Sequence, residues 1–328
     1  MPHPSKHAGP PPNVSRPVAP ALPAPIPDSI RETLNLREEK DELLTGLARD
    51  EGAILMCVVA PYRSIRISPV DEVQASIGLH EEFAFEAVID EVQSLGLADK
   101  KIILLLNTFG GLLHSSFKVA RALRTSFKEI EIYVPHIAAS GGTLIALTGD
   151  KIFMGCMSQL SPVDPQVYYD GRMMSALHAR AAYNRLCEAF EKTTRDEAPY
   201  PQRALADKLD PLLMEDWNGS VETSLEYATR ILSLSNYTDA QARAIAHHLV
   251  YHFTEHDADI DYDLAKSIGL RVEKYDKSEK TRIVWRHFRR WLGMFLSEAS
   301  PTHVVRYVLP IDKSNVEKNN GTGKGKGH

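Results

Sequence analysis

Residues 129–155, "EIEIYVPHIAASGGTLIALTGDKIFMG", decide the fold. "EIEIYV" is an apolar run of strand length, "SGGTLIALTGD" opens a short helix on small residues, and "KIFMG" is a second strand. The stretches before it have the same alternation. "AILMCVVA" (53–60) and "KKIILLLNT" (100–108) are continuous apolar runs, as strands buried on both faces require. "HEEFAFEAVIDEVQSLG" (80–96) has helical spacing through Phe83, Ala87, Val88 and Val92. "GGLLHSSFKVARALRTS" (110–126) opens on glycines and places Leu113, Phe117, Ala120 and Leu123 inward. Repeated strand–helix–strand units with apolar strands predict an α/β fold of parallel strands covered by helices.

From about 167 to 253 the period is helical throughout, punctuated by proline, glycine and asparagine. This block is expected to pack on the sheet as a lid or an oligomer surface. The core pattern resumes at "DYDLAKSIGLRVEKY" (261–275). Residues 1–28 hold ten of the 20 prolines and read as a disordered tail, and 313–328 as another. Between them lie a main domain, 29–275, and an extension, 276–312. In that extension "TRIVWRHFRRWLGMFLSEA" (281–299) is amphipathic. Val284, Phe288, Trp291 and Phe295 share one face, with Arg282, Arg286, Arg289 and Arg290 mostly elsewhere. Such a helix docks on the body of the protein or a neighbouring subunit, or lies on an anionic membrane as a peripheral contact.

A net charge of -5 supplies no basic field to recruit nucleic acid. No apolar run reaches the ~20 residues that span a bilayer, and no secretory segment opens the chain, so a cytoplasmic protein is expected. Cys57, Cys156 and Cys187 are odd in number and widely spaced, which predicts reduced, buried thiols rather than disulfides.

Two strand–helix turns carry the candidate chemistry. In "NTFGG" (107–111) the paired glycines let backbone N–H groups approach a phosphate or an oxyanion, or merely make a tight turn. In "AASGG" (138–142) Ser140 is either a nucleophile or a helix N-cap, a role serine favours. If the turns meet, Ser140 attacks a carbonyl while Gly110 or Gly111 and Gly141 hold the developing oxyanion. His248, His252 and His256 fall at i, i+4 and i+8, but the H-E-x-x-H pattern is absent and no metal site is expected. "GTGKGKGH" has no strand before it and no helix after it, so it is not a phosphate loop. No cofactor is called for.

The series "LLLNTFGGLLHSSFKVARALR", "VPHIAASGGTLIALTGDKIFMGCMSQLSPVDPQ" and "HDADIDYDLAKSIGL" resembles the Clp protease/crotonase superfamily. Within it, the chain is most similar to the serine dehydrogenase proteinase family, kin to signal peptide peptidase A, over roughly residues 50–275. The resemblance implies a spiral of ββα units with an inserted or appended helical block. It also implies a Ser140 nucleophile, an oxyanion hole at Gly110, Gly111 and Gly141, a peptide or unfolded-protein substrate, and a homo-oligomer.

It leaves the general base open. Where Clp proteases have their histidine this chain has Asp164, and their later aspartate matches Asp257, beside His256. Adjacent residues point to different sides, so His256 and Asp257 do not both face Ser140 on a regular backbone. Signal peptide peptidases use a lysine, for which Lys192 has a compatible spacing, although its surroundings read as a solvated helix end. His256, Asp164 and Lys192 are the candidates, in that order. The expected activity is a serine endopeptidase, needing neither metal nor nucleotide. A crotonase-like acyl-CoA enzyme and an inactive scaffold of the same fold are the alternatives.

Overall fold

The computed structural model describes residues 36–38, 42–62, 65–66, 72–169, 172–191, 193, 196–206, 210–295 and 302–310. Both tails and Lys192 lie outside the described residues.

The apolar runs form a seven-stranded sheet in the order Leu36–Glu38, Val304–Val308, Ile54–Val59, Ile102–Asn107, Ile130–Val134, Lys151–Met154, Val272–Lys274. Neighbours run parallel except Val304–Val308, which is antiparallel to Ile54–Val59. The fold is thus α/β with a mainly parallel sheet, as the alternating pattern requires. The segment read as an extension supplies one of its strands.

Each face of the sheet is buried against helices. Ile54, Met56 and Val58, with Ile102, Leu104 and Leu106, pack on one side under the helices Leu79–Ser94 and Leu113–Ser126. Leu55, Cys57, Ile103, Leu105, Tyr133 and Phe153 face the other side. There they meet Val284, Phe288, Trp291 and Phe295 of the helix Glu279–Phe295, whose apolar stripe lies on the sheet. Arg282, Arg286, Arg289 and Arg290 point to solvent. Each buried aromatic of that stripe contributes roughly 1.5–3 kcal/mol.

Some details differ from the sequence reading. Phe83 is 50% exposed, and the buried stripe of its helix runs through Ala84, Phe85, Val88, Ile89 and Val92. The stripe is turned by one or two residues because Phe85 and Ile89 provide more apolar surface beside Val88 than Phe83 and Ala87 do. The block after 165 opens not on a helix but on a hairpin, Gln166–Tyr169 paired with Arg172–Ser175, and then continues through Ala176–Phe190, Tyr200–Ala206, Pro211–Leu234 and Asp239–Tyr251. Only Cys57 is buried; Cys156 and Cys187 are exposed.

The feature that builds the site lies beyond the carboxyl ends of the parallel strands. There the chain makes a second, short set of pairings. Ile77 bridges Gly111, Thr108 bridges Ala138, Ile137–Ala138 pairs with Gln159–Leu160, and Leu160 bridges Ile260. Five segments distant in sequence are drawn side by side beyond the strand ends.

Candidate active site

Ser140 sits between the short strand Ile137–Ala138 and the helix Gly141–Ala146. Its backbone has φ 51° and ψ -115°, and its side chain makes no capping hydrogen bond although it holds the N-cap position. A positive φ at a non-glycine residue costs on the order of 1–3 kcal/mol and persists only where the surroundings impose it. Here they do. The Ser140 N–H donates to Ser161 Oγ at 2.7 Å. Thr143 Oγ1 donates towards the carbonyls of Ala138 and Ser161, at 2.7 and 2.9 Å, and accepts from the Ser161 N–H at 3.0 Å. The serine is therefore held on a strained strand-to-helix elbow with its hydroxyl uncommitted among the described residues.

The glycine turn abuts this elbow. Gly110 has φ 99°, and a Cβ built on it would lie 2.7 Å from the Ala139 carbonyl oxygen and 2.9 Å from Ser140 Cβ. Only glycine lets the two chain reversals touch. Gly141 is equally confined, since its Cβ would fall 2.1 Å from Ser116 Oγ, with the Gly111 nitrogen 3.4 Å away. The backbone groups of the 108–112 turn are largely spoken for. Thr108 N–H donates to Ile137 O and Leu112 N–H to Ile77 O, both at 2.9 Å, while Gly110 O accepts from Ile77 N–H at 2.8 Å. The Gly110 N–H donates to Thr108 Oγ1 at 3.0 Å. Among the described residues, no hydrogen bond takes the N–H of Gly111 or of Gly141. Gly110 is therefore a shape requirement rather than a free donor, and Gly111 and Gly141 carry the two available amide hydrogens beside the serine.

Asp164 and His256 are brought together. His256 Nδ1 lies 2.8 Å from Asp164 Oδ1. An ionised carboxylate only accepts, so Nδ1 carries a proton, and in the neutral imidazole Nε2 offers its lone pair. Burial alone would raise the Asp164 carboxyl. The hydrogen bonds from His256 and Ser175 outweigh it and hold the group below the ordinary aspartate range. The pair is close to the elbow along the chain. Ser161, which anchors the Ser140 N–H, precedes Asp164 by three residues, a span of at most about 10 Å. Leu160 and Ile260 exchange both backbone hydrogen bonds at 3.0 Å, which brings the segment after His256 alongside. Two of the three sequence candidates for the base are thus partners in one hydrogen-bonded pair.

Asp257 is exposed, and its carbonyl accepts from Gln159 Nε2 at 3.4 Å. Lys192 is outside the described residues. The histidine row is broken because the helix ends at Tyr251: His248 and His252 stack at 4.1 Å between ring centroids, while His256 turns to Asp164. Among the described residues, no group of three or more His, Cys, Asp or Glu side chains could hold a metal ion.

Sequence reasoning missed the supports. Ser161 was visible within "SQLSPVDPQ", but only as part of a pattern, and Thr143 and Thr108 as unremarkable hydroxyls. Ser116, whose buried hydroxyl touches the Gly141 turn and has no partner among the described residues, carried no signal at all.

Residues 85–194 match the family model described as ClpP-like SDH-type serine proteinase, which covers the glycine turn, the elbow and Asp164. An uncharacterized protein of Methanocaldococcus jannaschii, MJ0137, is 31% identical over 175 residues, 53% of this chain and 54% of that protein. The chain thus spans about half the length of that relative. A second uncharacterized protein of the same organism, MJ1495, is 25% identical over 284 residues, 86% of this chain and 82% of that protein. Two solved structures of mutants of the 1510-N membrane-bound stomatin-specific protease, one holding a substrate peptide, align at 17% and 19% identity. Each covers 60% of this chain, and 74% and 70% of the respective structure, with a TM-score of 0.39. Among the described residues, no helix is long and apolar enough to cross a membrane.

Proposed function

We propose, for a chain whose residues 85–194 match the family model described as ClpP-like SDH-type serine proteinase, that it hydrolyses peptide bonds through an acyl-enzyme on Ser140. The observation that carries the reading is the strained Ser140 elbow, free of any capping bond and in contact with a glycine turn, the two together leaving the Gly141 and Gly111 N–H groups open among the described residues.

In this reading His256 Nε2 takes the hydroxyl proton as Ser140 Oγ bonds to the substrate carbonyl carbon. Asp164 keeps the imidazole in the required tautomer and offsets its positive charge. The carbonyl oxygen becomes an oxyanion and accepts from the Gly111 and Gly141 N–H groups. The carbon–nitrogen bond then breaks, and His256 returns the proton to the departing amine. A water, deprotonated by the same nitrogen, attacks the ester and releases Ser140. Each oxyanion donor contributes roughly 3–4 kcal/mol to the transition state, which is the chemical reason for two glycine turns in contact. Leu79 and Leu112, 62% and 65% exposed, flank the turn on either side of the Ile77–Gly111 bridge, and Phe83 follows Leu79 by one helical turn. That surface suits apolar residues next to the cleaved bond. We propose further that the chain acts as a homo-oligomer on short or unfolded chains.

A fluorophosphonate probe is expected to label the wild type and not Ser140→Ala, and peptide turnover is expected to vanish in that variant. His256→Ala is expected to slow labelling at least ~100-fold, the scale of a lost general base. Equal labelling of wild type and Ser140→Ala would end the serine-hydrolase reading.

A further inference from the structure

One buried polar chain outside the Ser140 and His256 groups ends on the oxyanion turn. Glu81, Thr108 and His303 are 3%, 0% and 1% exposed, and they come from three separate segments. The Gly78 N–H donates to Glu81 Oε2 at 2.8 Å. His303 gives its backbone N–H and its Nδ1–H to Glu81 Oε1, both at 3.1 Å. His303 Nε2 lies 2.7 Å from Thr108 Oγ1. Thr108 Oγ1 in turn accepts the Gly110 N–H at 3.0 Å.

The proton directions along this chain are mutually determined. The Glu81 carboxylate only accepts, so Nδ1 carries a proton, and in the neutral imidazole Nε2 is then an acceptor. Thr108 therefore donates its hydroxyl hydrogen to Nε2 and presents a lone pair to Gly110. Burial alone would raise the Glu81 carboxyl, but the hydrogen bonds from His303 and from the Gly78 N–H hold it below its ordinary value, so it stays an anion. Every polar atom has its partner, and the last partner is the N–H of Gly110, at φ 99°, directly before Gly111, whose nitrogen lies 3.4 Å from the Cβ position of Gly141. A core that needed only filling would be served by apolar side chains at lower desolvation cost.

We propose that Glu81, His303 and Thr108 form a positioning relay for the oxyanion donor. The Thr108 hydroxyl pins the Gly110 N–H, the pinned peptide orients the Gly111 N–H, and His303 and Glu81 fix the direction of that hydroxyl. The strand that carries His303 into place, Val304–Val308, is then a working part of the active site although it lies more than 100 residues beyond the 85–194 family match. The relay rests on the Ser140 reading, which it completes.

The test uses the full chain with Thr108→Val, which keeps the shape and removes the acceptor, and Thr108→Ser, which restores it. Three quantities are measured: kcat and KM on a fluorogenic peptide, inhibition by a peptide aldehyde, which forms an oxyanion on Ser140, and binding of the uncleaved peptide to Ser140→Ala with and without Thr108→Val. In the valine variant kcat is expected to fall about 10–100-fold, somewhat less than for outright loss of an oxyanion donor. Aldehyde affinity should weaken by a similar factor. KM and ground-state peptide binding should stay within about twofold, and serine should restore most of the loss. His303→Gln, which can place an acceptor near the Nε2 position, should retain more activity than His303→Leu. Thr108→Val with wild-type kcat and aldehyde affinity overturns the relay. So does an equal loss in the valine and serine variants, or a lowered Tm with kcat and aldehyde affinity unchanged. Undiminished turnover in Ser140→Ala overturns the underlying reading and the relay with it. Turnover lost in Ser140→Ala but intact in Thr108→Val overturns the relay alone.

Discussion

Gly110→Ala is the sharpest perturbation of the contact between the two turns. The new methyl must take a backbone of φ 99°, and it would stand 2.7 Å from Ala139 O, 2.9 Å from Ser140 Cβ and 3.0 Å from the Gly141 nitrogen, against 3.4–4 Å for ordinary contact. None of these neighbours is the loose end of a flexible side chain, so the turns must part by several tenths of an ångström. The backbone strain costs roughly 1–3 kcal/mol, and at about 2–4 °C per kcal/mol in a chain of this size the Tm should drop by about 2–12 °C. The chemical cost is larger. Oxyanion donors act within about 2.7–3.1 Å, and a misplacement approaching 1 Å costs about 100-fold. The rate of labelling by a fluorophosphonate, read beside a thermal melt, is expected to fall about 100-fold. Gly96→Ala is the matched control. Gly96 also has a positive φ, 68°, but nothing lies within 4 Å of the added Cβ. It should lose stability by a similar strain and keep its full labelling rate. If Gly110→Ala labels like wild type, or if Gly96→Ala loses as much reactivity, the turns do not act through their contact.

Other outcomes follow from the same geometry. Asp164 titrates below its unfolded value, so the stability it contributes is fully present above about pH 4 and is lost as pH falls through the lower native value. The Tm gap between wild type and Asp164→Asn should therefore be widest at neutral pH and narrow as pH falls below about 4; a gap independent of pH would refute this. Phe288→Ala removes a fully buried ring between the amphipathic helix and the sheet, and should cost about 3–5 kcal/mol in denaturant unfolding. A cost under about 1 kcal/mol would mean that the helix is not docked. Cys156 and Cys187 should react with a thiol reagent in the folded protein and Cys57 only after unfolding; a third fast thiol would contradict the buried position of Cys57.

The strands and their class were legible because burial on both faces leaves no room for polar alternation. "AILMCVVA", "KKIILLLNT" and "EIEIYV" can hardly be anything else in a chain of this composition. The two glycine-bearing turns were legible for a related reason, since glycine next to a strand end marks a place where something must come close. Local pattern also marked the amphipathic stripe of residues 281–299, because a helix displays its periodicity wherever it packs. That the stripe meets the sheet is a tertiary fact.

Long-range pairing decided everything that turns those elements into a site. Asp164 and His256 appeared in the sequence as rival bases 92 residues apart, and the structure makes them a 2.8 Å pair. Gly110 and Gly111 looked interchangeable until Thr108 claimed the first N–H and left the second open. His303 and Glu81, 222 residues apart, gave no sign of each other. Periodicity reports which face of an element is apolar. A hydrogen bond between distant side chains depends on where two separate elements stop relative to one another, and only the packed sheet sets that distance.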